Sequence, residues 1–215
     1  MKPTALFITI VILAIILATA AGSPVASAVL MSLSVTVVGA DSSDPRWRAV
    51  EEAAAFWNQQ LIEAGVNVRL GPTTRLIQPV PDDALRKLST AQLESRFEPD
   101  IPEGLRQIPG DIVVALSTAD LISFGIRWRP ERSGLVGLRR ADIPPLSLPN
   151  VPRNLVAHEL GHVLGLRHNS DPATLMCGRP APCRPSLFAS ERDRFFPLTS
   201  LDIATLRAEW YSVAR

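Results

Sequence analysis

The chain has 215 residues, of which 47% are hydrophobic and 20% are charged, and its net charge at pH 7 is +1. This length is enough to bury one sizeable hydrophobic core, so we expect a single domain. Nucleic-acid-binding proteins usually carry an excess of basic residues, whereas positive and negative charges nearly balance here. This balance argues against a nucleic-acid partner.

The first 28 residues are predicted to be a signal peptide or an N-terminal membrane anchor. Residues 5–21 form a long apolar run, and no charged residue occurs from Pro3 to Ala40. The run is slightly long for a signal-peptide core and slightly short for a membrane span. Ala26-Ser27-Ala28 has the form of a cleavage site, which favours cleavage after Ala28 over an uncleaved anchor. In either case we expect residues 29–215 to be extracytoplasmic, either secreted or anchored at the membrane by this segment.

The next residues predict a strand, a helix and a second strand. Leu33 to Val38 is alternating and β-branched, which is typical of a strand. After Asp44-Pro45, a favourable helix start, apolar residues recur every three or four positions up to Gly65 and predict a long amphipathic helix. Val66 to Leu70 predicts the second strand. Six prolines then punctuate residues 71–110, in which residues 82–97 predict a surface helix.

Two further strands are predicted in the middle of the chain. Residues 111–116 begin with Asp111 and continue as the apolar run of a buried parallel strand, and residues 134–138 predict another strand. Five arginines flank the latter: Arg127, Arg129, Arg132, Arg139 and Arg140. A solvated face is the favoured interpretation of this charge over a preference for acidic substrates.

The residues from Asn154 to His168 carry the strongest chemical signal. His158 and His162 are four apart and would share one face of a helix, with Asn154 as a possible cap. Glu159 could reach a metal-bound water without being a ligand. Gly165 would end the helix and let the chain bring His168 back as a third ligand. These are the only three histidines of the protein, and three imidazoles leave a fourth tetrahedral position for water, as in a catalytic zinc site.

This motif, followed by Asp171-Pro172 and Leu175-Met176, resembles the metzincin zinc-peptidase signature with its methionine turn, and is most similar to that of the matrixins, the matrix-metalloprotease type. The resemblance implies that His158, His162 and His168 bind one Zn2+, that Glu159 is the general base, and that Met176 forms a hydrophobic floor beneath the metal. It also implies a metzincin-like α+β or α/β fold: a twisted mixed sheet with a long packing helix, a zinc-binding active-site helix and a C-terminal helix.

The resemblance further implies one catalytic domain over residues 29–215, in which residues 71–110 are an insertion. A purely structural role for the insertion is favoured over a role as a lid or as a docking surface. Thr199 and Asp202 predict a capping box at the start of the last helix, which matrixins share. The substrate peptide would lie along an edge strand, which the resemblance assigns to five residues: Gly134, Leu135, Val136, Gly137 and Leu138. A monomer is expected, and no acidic cluster supports the Ca2+ that matrixins often bind.

The chain departs from the patterns of known metzincin branches at three places. Asn169 stands where matrixins usually carry serine, and Gly178 stands where the astacin branch carries a tyrosine ligand. The wall after the methionine turn is replaced by the loop from Cys177 to Cys183. In an oxidising compartment these cysteines would form a disulfide that staples the loop, with free thiols as the alternative.

The function predicted from the sequence is a zinc-dependent endopeptidase acting on extended protein or peptide substrates. Two alternatives stay open: a zinc-binding module without catalysis, and a zinc hydrolase of non-peptide amides. Glu159 favours an enzyme, because a purely structural zinc site needs no carboxylate at that position.

Overall fold

The computed structural model describes residues 30–93, 101–128, 133–142, 147–148, 150–178 and 194–211. The predicted signal peptide or anchor lies outside these residues. Within the described ranges, no helix combines the length and the apolar character that crossing a membrane requires.

Five strands form one sheet: β1 (Met31–Gly39), β2 (Val68–Ile77), β3 (Ile112–Leu116), β4 (Phe124–Trp128) and β5 (Ser133–Leu138). Their order is β2-β1-β3-β5-β4. All neighbouring pairs are parallel except β4 and β5, which are antiparallel. The mixed sheet expected from the sequence is therefore confirmed.

The prediction that residues 134–138 form the edge strand is wrong. β5 is hydrogen-bonded to β3 on one side and to β4 on the other, and Gly134, Leu135, Val136, Gly137 and Leu138 are all buried. With both sides paired, β5 has no backbone groups free to hold a peptide. Among the described residues, β4 is the edge strand on this side of the sheet, and no strand was predicted there from the sequence. Its alternation of buried Phe124 and Ile126 with Gly125 and Arg127 is the signal that could have found it.

Five helices pack on the sheet among the described residues: α1 (Arg46–Glu63), α2 (Asp82–Leu93), α3 (Glu103–Arg106), α4 (Asn150–Val163) and α5 (Ser200–Tyr211). Side chains alternate along β3, so Ile112 and Val114 join the core formed with α1, α4 and α5, while Val113 joins a second core on the opposite face. The long packing helix and the C-terminal helix are thus both present. Trp57 of α1 donates its indole N–H to the carbonyl of Ala157 at 2.8 Å and ties α1 to α4.

Among the described residues of the range 71–110, α2 and α3 pack on the opposite face of the sheet. The predicted end of the second strand at Leu70 is wrong, because β2 continues across Gly71 and Pro72 to Ile77. β2 is an outer strand, where a proline need not donate to a neighbour. Leu85 of α2 and Leu105 of α3 are both 0% exposed. Burying each such leucine contributes roughly 2 kcal/mol, which supports the structural interpretation of this segment.

Candidate metal centre

Helix α4 and the turn that follows it bring the three histidines close together. His158 and His162 lie one helical turn apart on α4. The helix then closes with the amide of Leu166 bonded to the carbonyl of Gly161 at 2.9 Å. Gly165 has φ of 103°, in the region that favours glycine, and this turn reverses the chain so that His168 comes back toward α4.

The three Nε2 atoms form a small triangle. They are 3.2 Å apart between His158 and His162, 3.1 Å between His158 and His168, and 3.0 Å between His162 and His168. A tetrahedral zinc with ligands at about 2.1 Å would hold its nitrogens about 3.4 Å apart. The triangle needs to open by only a few tenths of an ångström, so these residues fit a zinc ion.

Backbone carbonyls fix the orientation of two of the rings. The Nδ1–H of His158 donates to the carbonyl of Leu175 at 2.7 Å, and the Nδ1–H of His162 donates to the carbonyl of Leu166 at 2.9 Å. Because a carbonyl can only accept, each proton sits on Nδ1 and each Nε2 keeps its lone pair for a metal. Burial also lowers the pKa of His162 to about 4, so this ring is neutral at pH 7.

The third ring depends on a glycine. A Cβ on Gly178 would lie 2.0 Å from Cγ of His168 and 2.4 Å from its Nδ1. The backbone at Gly178 therefore packs directly against the ring of His168. In the sequence, Gly178 stood out only for the tyrosine that is missing there, and its contact with the ring of His168 was not predicted.

Met176 packs against the turn of α4 that bears the ligands. It is 0% exposed, and its Sδ lies 2.6 Å from the place that a Cβ on Gly161 would occupy. Gly161 stands between His158 and His162 on α4. The sulfur of the methionine turn thus fills the space beneath this turn.

Glu159 is buried beside the triad. It is 5% exposed, and its burial raises the pKa of its carboxyl to about 8, with a hydrogen bond from the Gly125 backbone amide working in the opposite direction. A Cβ on Gly125 would lie 2.1 Å from the carbonyl oxygen of Glu159, so edge strand β4 and helix α4 touch backbone to backbone here. A buried carboxyl with a pKa near neutrality is suited to exchanging protons.

Other predicted features are only partly described. Cys177, the one cysteine among the described residues, is 3% exposed and is not free. Cys183 lies outside the described residues, so the pairing stays a prediction. Among the flanking arginines, Arg127 is 2.8 Å from Glu209 and Arg139 is 2.6 Å from Asp120, and Arg140 pairs with Asp142. This pairing with the protein's own carboxylates gives no support to a preference for acidic substrates. The side chains of Arg127 and Arg139 are only 16% and 24% exposed, so the solvated-face interpretation fits Arg140 alone among the described arginines. Arg129 and Arg132 fall outside the described part of the chain.

Asn154 does not cap α4 as predicted. The helix begins four residues earlier, at Asn150, and Asn154 is 0% exposed in its interior. Its side chain instead binds the backbone of residues 194 and 196, which lie shortly before α5. A polar residue one turn before His158, followed directly by apolar residues 155–157, was the signal for such a role.

No protein-family model and no curated protein matches the chain. Similar solved structures include an archaemetzincin from Methanopyrus kandleri, with a TM-score of 0.47 and 20% identity over 83% of this chain and 95% of that one. A chaperone–substrate complex is similar with a TM-score of 0.49 and 14% identity, over 86% of this chain and 35% of that one. Similarities this distant carry no argument about the chemistry of the present chain.

Proposed function

We propose that the protein is a zinc-dependent metallopeptidase of the metzincin type. The observation that carries this proposal is the triangle of three Nε2 atoms, 3.0 to 3.2 Å apart, next to a buried glutamate. Two of the rings are already held in the tautomer that binds a metal. In a chance cluster of histidines there would be no reason for backbone carbonyls to hold the Nδ1 protons in this way.

A zinc ion held by the triad would polarise the scissile carbonyl and lower the pKa of a water at the open position. Glu159 would accept a proton from the attacking water and return it to the leaving amine. The Gly125 amide would stabilise the carboxylate form of Glu159 before the first transfer and after the second. The carboxyl of Glu159 itself is buried, with the residue only 5% exposed, which limits the other water that can compete for the same proton.

The substrate would be an extended protein or peptide segment aligned along β4. β4 is the edge of the sheet among the described residues and touches α4 beside Glu159, and an edge strand can bind a peptide through its backbone groups. The finer assignment to the matrixins is supported by the sequence motif from His158 to Met176 and by the capping box of α5. An extracytoplasmic location is supported by the apolar run in residues 5–21.

The test is digestion of a generic quenched peptide library by the zinc-loaded protein, with Glu159→Gln as the matched variant. We expect cleavage by the wild-type protein, its loss with a zinc chelator, and a loss of at least about 100-fold in Glu159→Gln, the usual scale of acid–base catalysis. Zinc content should be equal in the two proteins. Zinc binding without cleavage would favour the non-catalytic module, and hydrolysis of small amides alone would favour the non-peptide hydrolase.

A further inference from the structure

Residues 194–198 immediately precede α5, and we name them the return segment because the described part of the chain resumes with them after the methionine turn. Asn154 of α4 anchors this segment. Its Nδ2 donates to the carbonyl of Arg194 at 2.9 Å, and its Oδ1 accepts from the amide of Phe196 at 2.9 Å. With a further bond from Nδ2 to the carbonyl of Asn150, the buried amide is engaged on both of its polar atoms.

The return segment in turn holds the residue that orients a metal ligand. The carbonyl of Pro197 accepts from the amide of Leu175 at 2.9 Å. The carbonyl of the same Leu175 accepts from Nδ1 of His158 at 2.7 Å. The hydrogen bonds therefore run from Asn154 through the return segment and Leu175 back to His158, one turn further along the same helix.

We propose that Asn154 is a positioning residue for the metal centre, acting through the return segment and Leu175 to set the tautomer and orientation of the His158 ring. This inference rests on the proposed zinc site. A fully buried asparagine in a helix interior is costly unless its amide is satisfied. Two of the backbone groups that satisfy it here, those of Arg194 and Phe196, lie outside the helix. If the amide is removed, the return segment loses two hydrogen bonds to α4 and keeps the longer one from the Arg194 amide to Oδ1 of Asn150, at 3.3 Å. The peptide of Leu175 is then held less firmly with its carbonyl toward His158.

The test compares Asn154→Leu, which keeps the shape of the side chain, with Ser89→Ala. Ser89 is the matched control because it is also buried and also bonds backbone groups, donating to the carbonyl of Ile122 at 2.8 Å and accepting from its amide at 3.1 Å. It lies on α2, which packs on the opposite face of the sheet. Both variants are expected to unfold at lower denaturant concentration than the wild-type protein.

Two measurements distinguish a specific effect of Asn154 on the metal site from a general loss of stability. Zinc affinity, measured by chelator competition under conditions where the apo-proteins are folded, should fall by about 10- to 100-fold in Asn154→Leu, as for other groups that orient metal ligands. It should change by less than about 2-fold in Ser89→Ala, whose contacts do not reach the site. Nitrogen NMR of the apo-proteins should find the His158 proton on Nδ1 in the wild type and in Ser89→Ala, and a mixture of tautomers in Asn154→Leu. Wild-type zinc affinity and an unchanged tautomer in Asn154→Leu would overturn the inference.

Hydrogen exchange of the wild-type protein provides a test that needs no variant. Because coupling is reciprocal, a return segment that strengthens zinc binding must itself be held more firmly when zinc is bound. Zinc should therefore slow exchange at the amides of Leu175 and Phe196 by about 10-fold or more. Equal rates with and without bound zinc would contradict the proposed coupling. A wild-type protein that binds no zinc would instead refute the proposed function, and the apo-protein NMR comparison would still test the role of Asn154.

Discussion

Replacing Gly178 by alanine should remove one metal ligand without touching a histidine. The new Cβ would lie 2.0 Å from Cγ of His168, whereas ordinary contact begins at 3.4 Å. The ring must therefore move by about 1.4 Å, several times the tolerance of about 0.2 Å that metal–ligand distances allow. We expect zinc affinity to fall by at least about 100-fold, beyond the effect of losing a single orienting group.

The assay is chelator competition on the folded apo-protein, with circular dichroism to confirm that the variant is folded. Gly104→Ala is the matched control, because a Cβ there has nothing within 4 Å. It should bind zinc as the wild type does. Gly178→Ala with wild-type affinity would mean that His168 is not a ligand, or that its ring does not lie where the structure has it.

Two further predictions concern stability. In the zinc-free protein, burial raises the pKa of Glu159 to about 8 and lowers that of His162 to about 4. The folded state thus keeps a proton on Glu159 that the unfolded chain releases near pH 4.5, while the unfolded chain keeps a proton on His162 up to about pH 6.5. The two effects cancel between pH 4.5 and 6.5, so the free energy of unfolding should be level there. It should fall as the pH rises from 6.5 to about 8, because only Glu159 then binds a different number of protons in the two states. Denaturant titrations should find no such fall in Glu159→Gln. Thr199 and Asp202 form the predicted capping box: the Asp202 amide donates to Oγ1 of Thr199 at 3.0 Å, and the Thr199 amide donates to Oδ2 of Asp202 at 2.8 Å. Thr199→Ala should therefore lower the free energy of unfolding by about 1 kcal/mol in the same titrations. An unchanged value would mean that the cap is not formed in solution.

The local chemistry of the site was largely predictable from the sequence. Helix periodicity placed His158 and His162 on one face, and the glycine requirement of a left-handed turn identified Gly165 as the end of the helix. These are rules about residues a few positions apart, and the sequence contains everything they need. The capping box of α5 was predictable for the same reason.

The order of the strands and the partners of buried polar groups were not predictable in this way. β5 was mistaken for the edge because its apolar residues do not reveal whether a further strand lies beside it; only pairing with β4 decides that. The role of Asn154 depends on residues 40 and 42 positions later in the chain. The contact between Gly178 and His168 likewise depends on how two loop segments meet, and a glycine alone does not indicate what it approaches.

The central claim is that three histidines hold one zinc ion and leave a place open for water. X-ray absorption at the zinc edge of the zinc-loaded full chain tests it most directly. The account predicts one zinc per chain with three imidazole nitrogens and one oxygen at about 2.0–2.1 Å. A sulfur ligand, a shell with fewer than three imidazoles, or no bound zinc would contradict it.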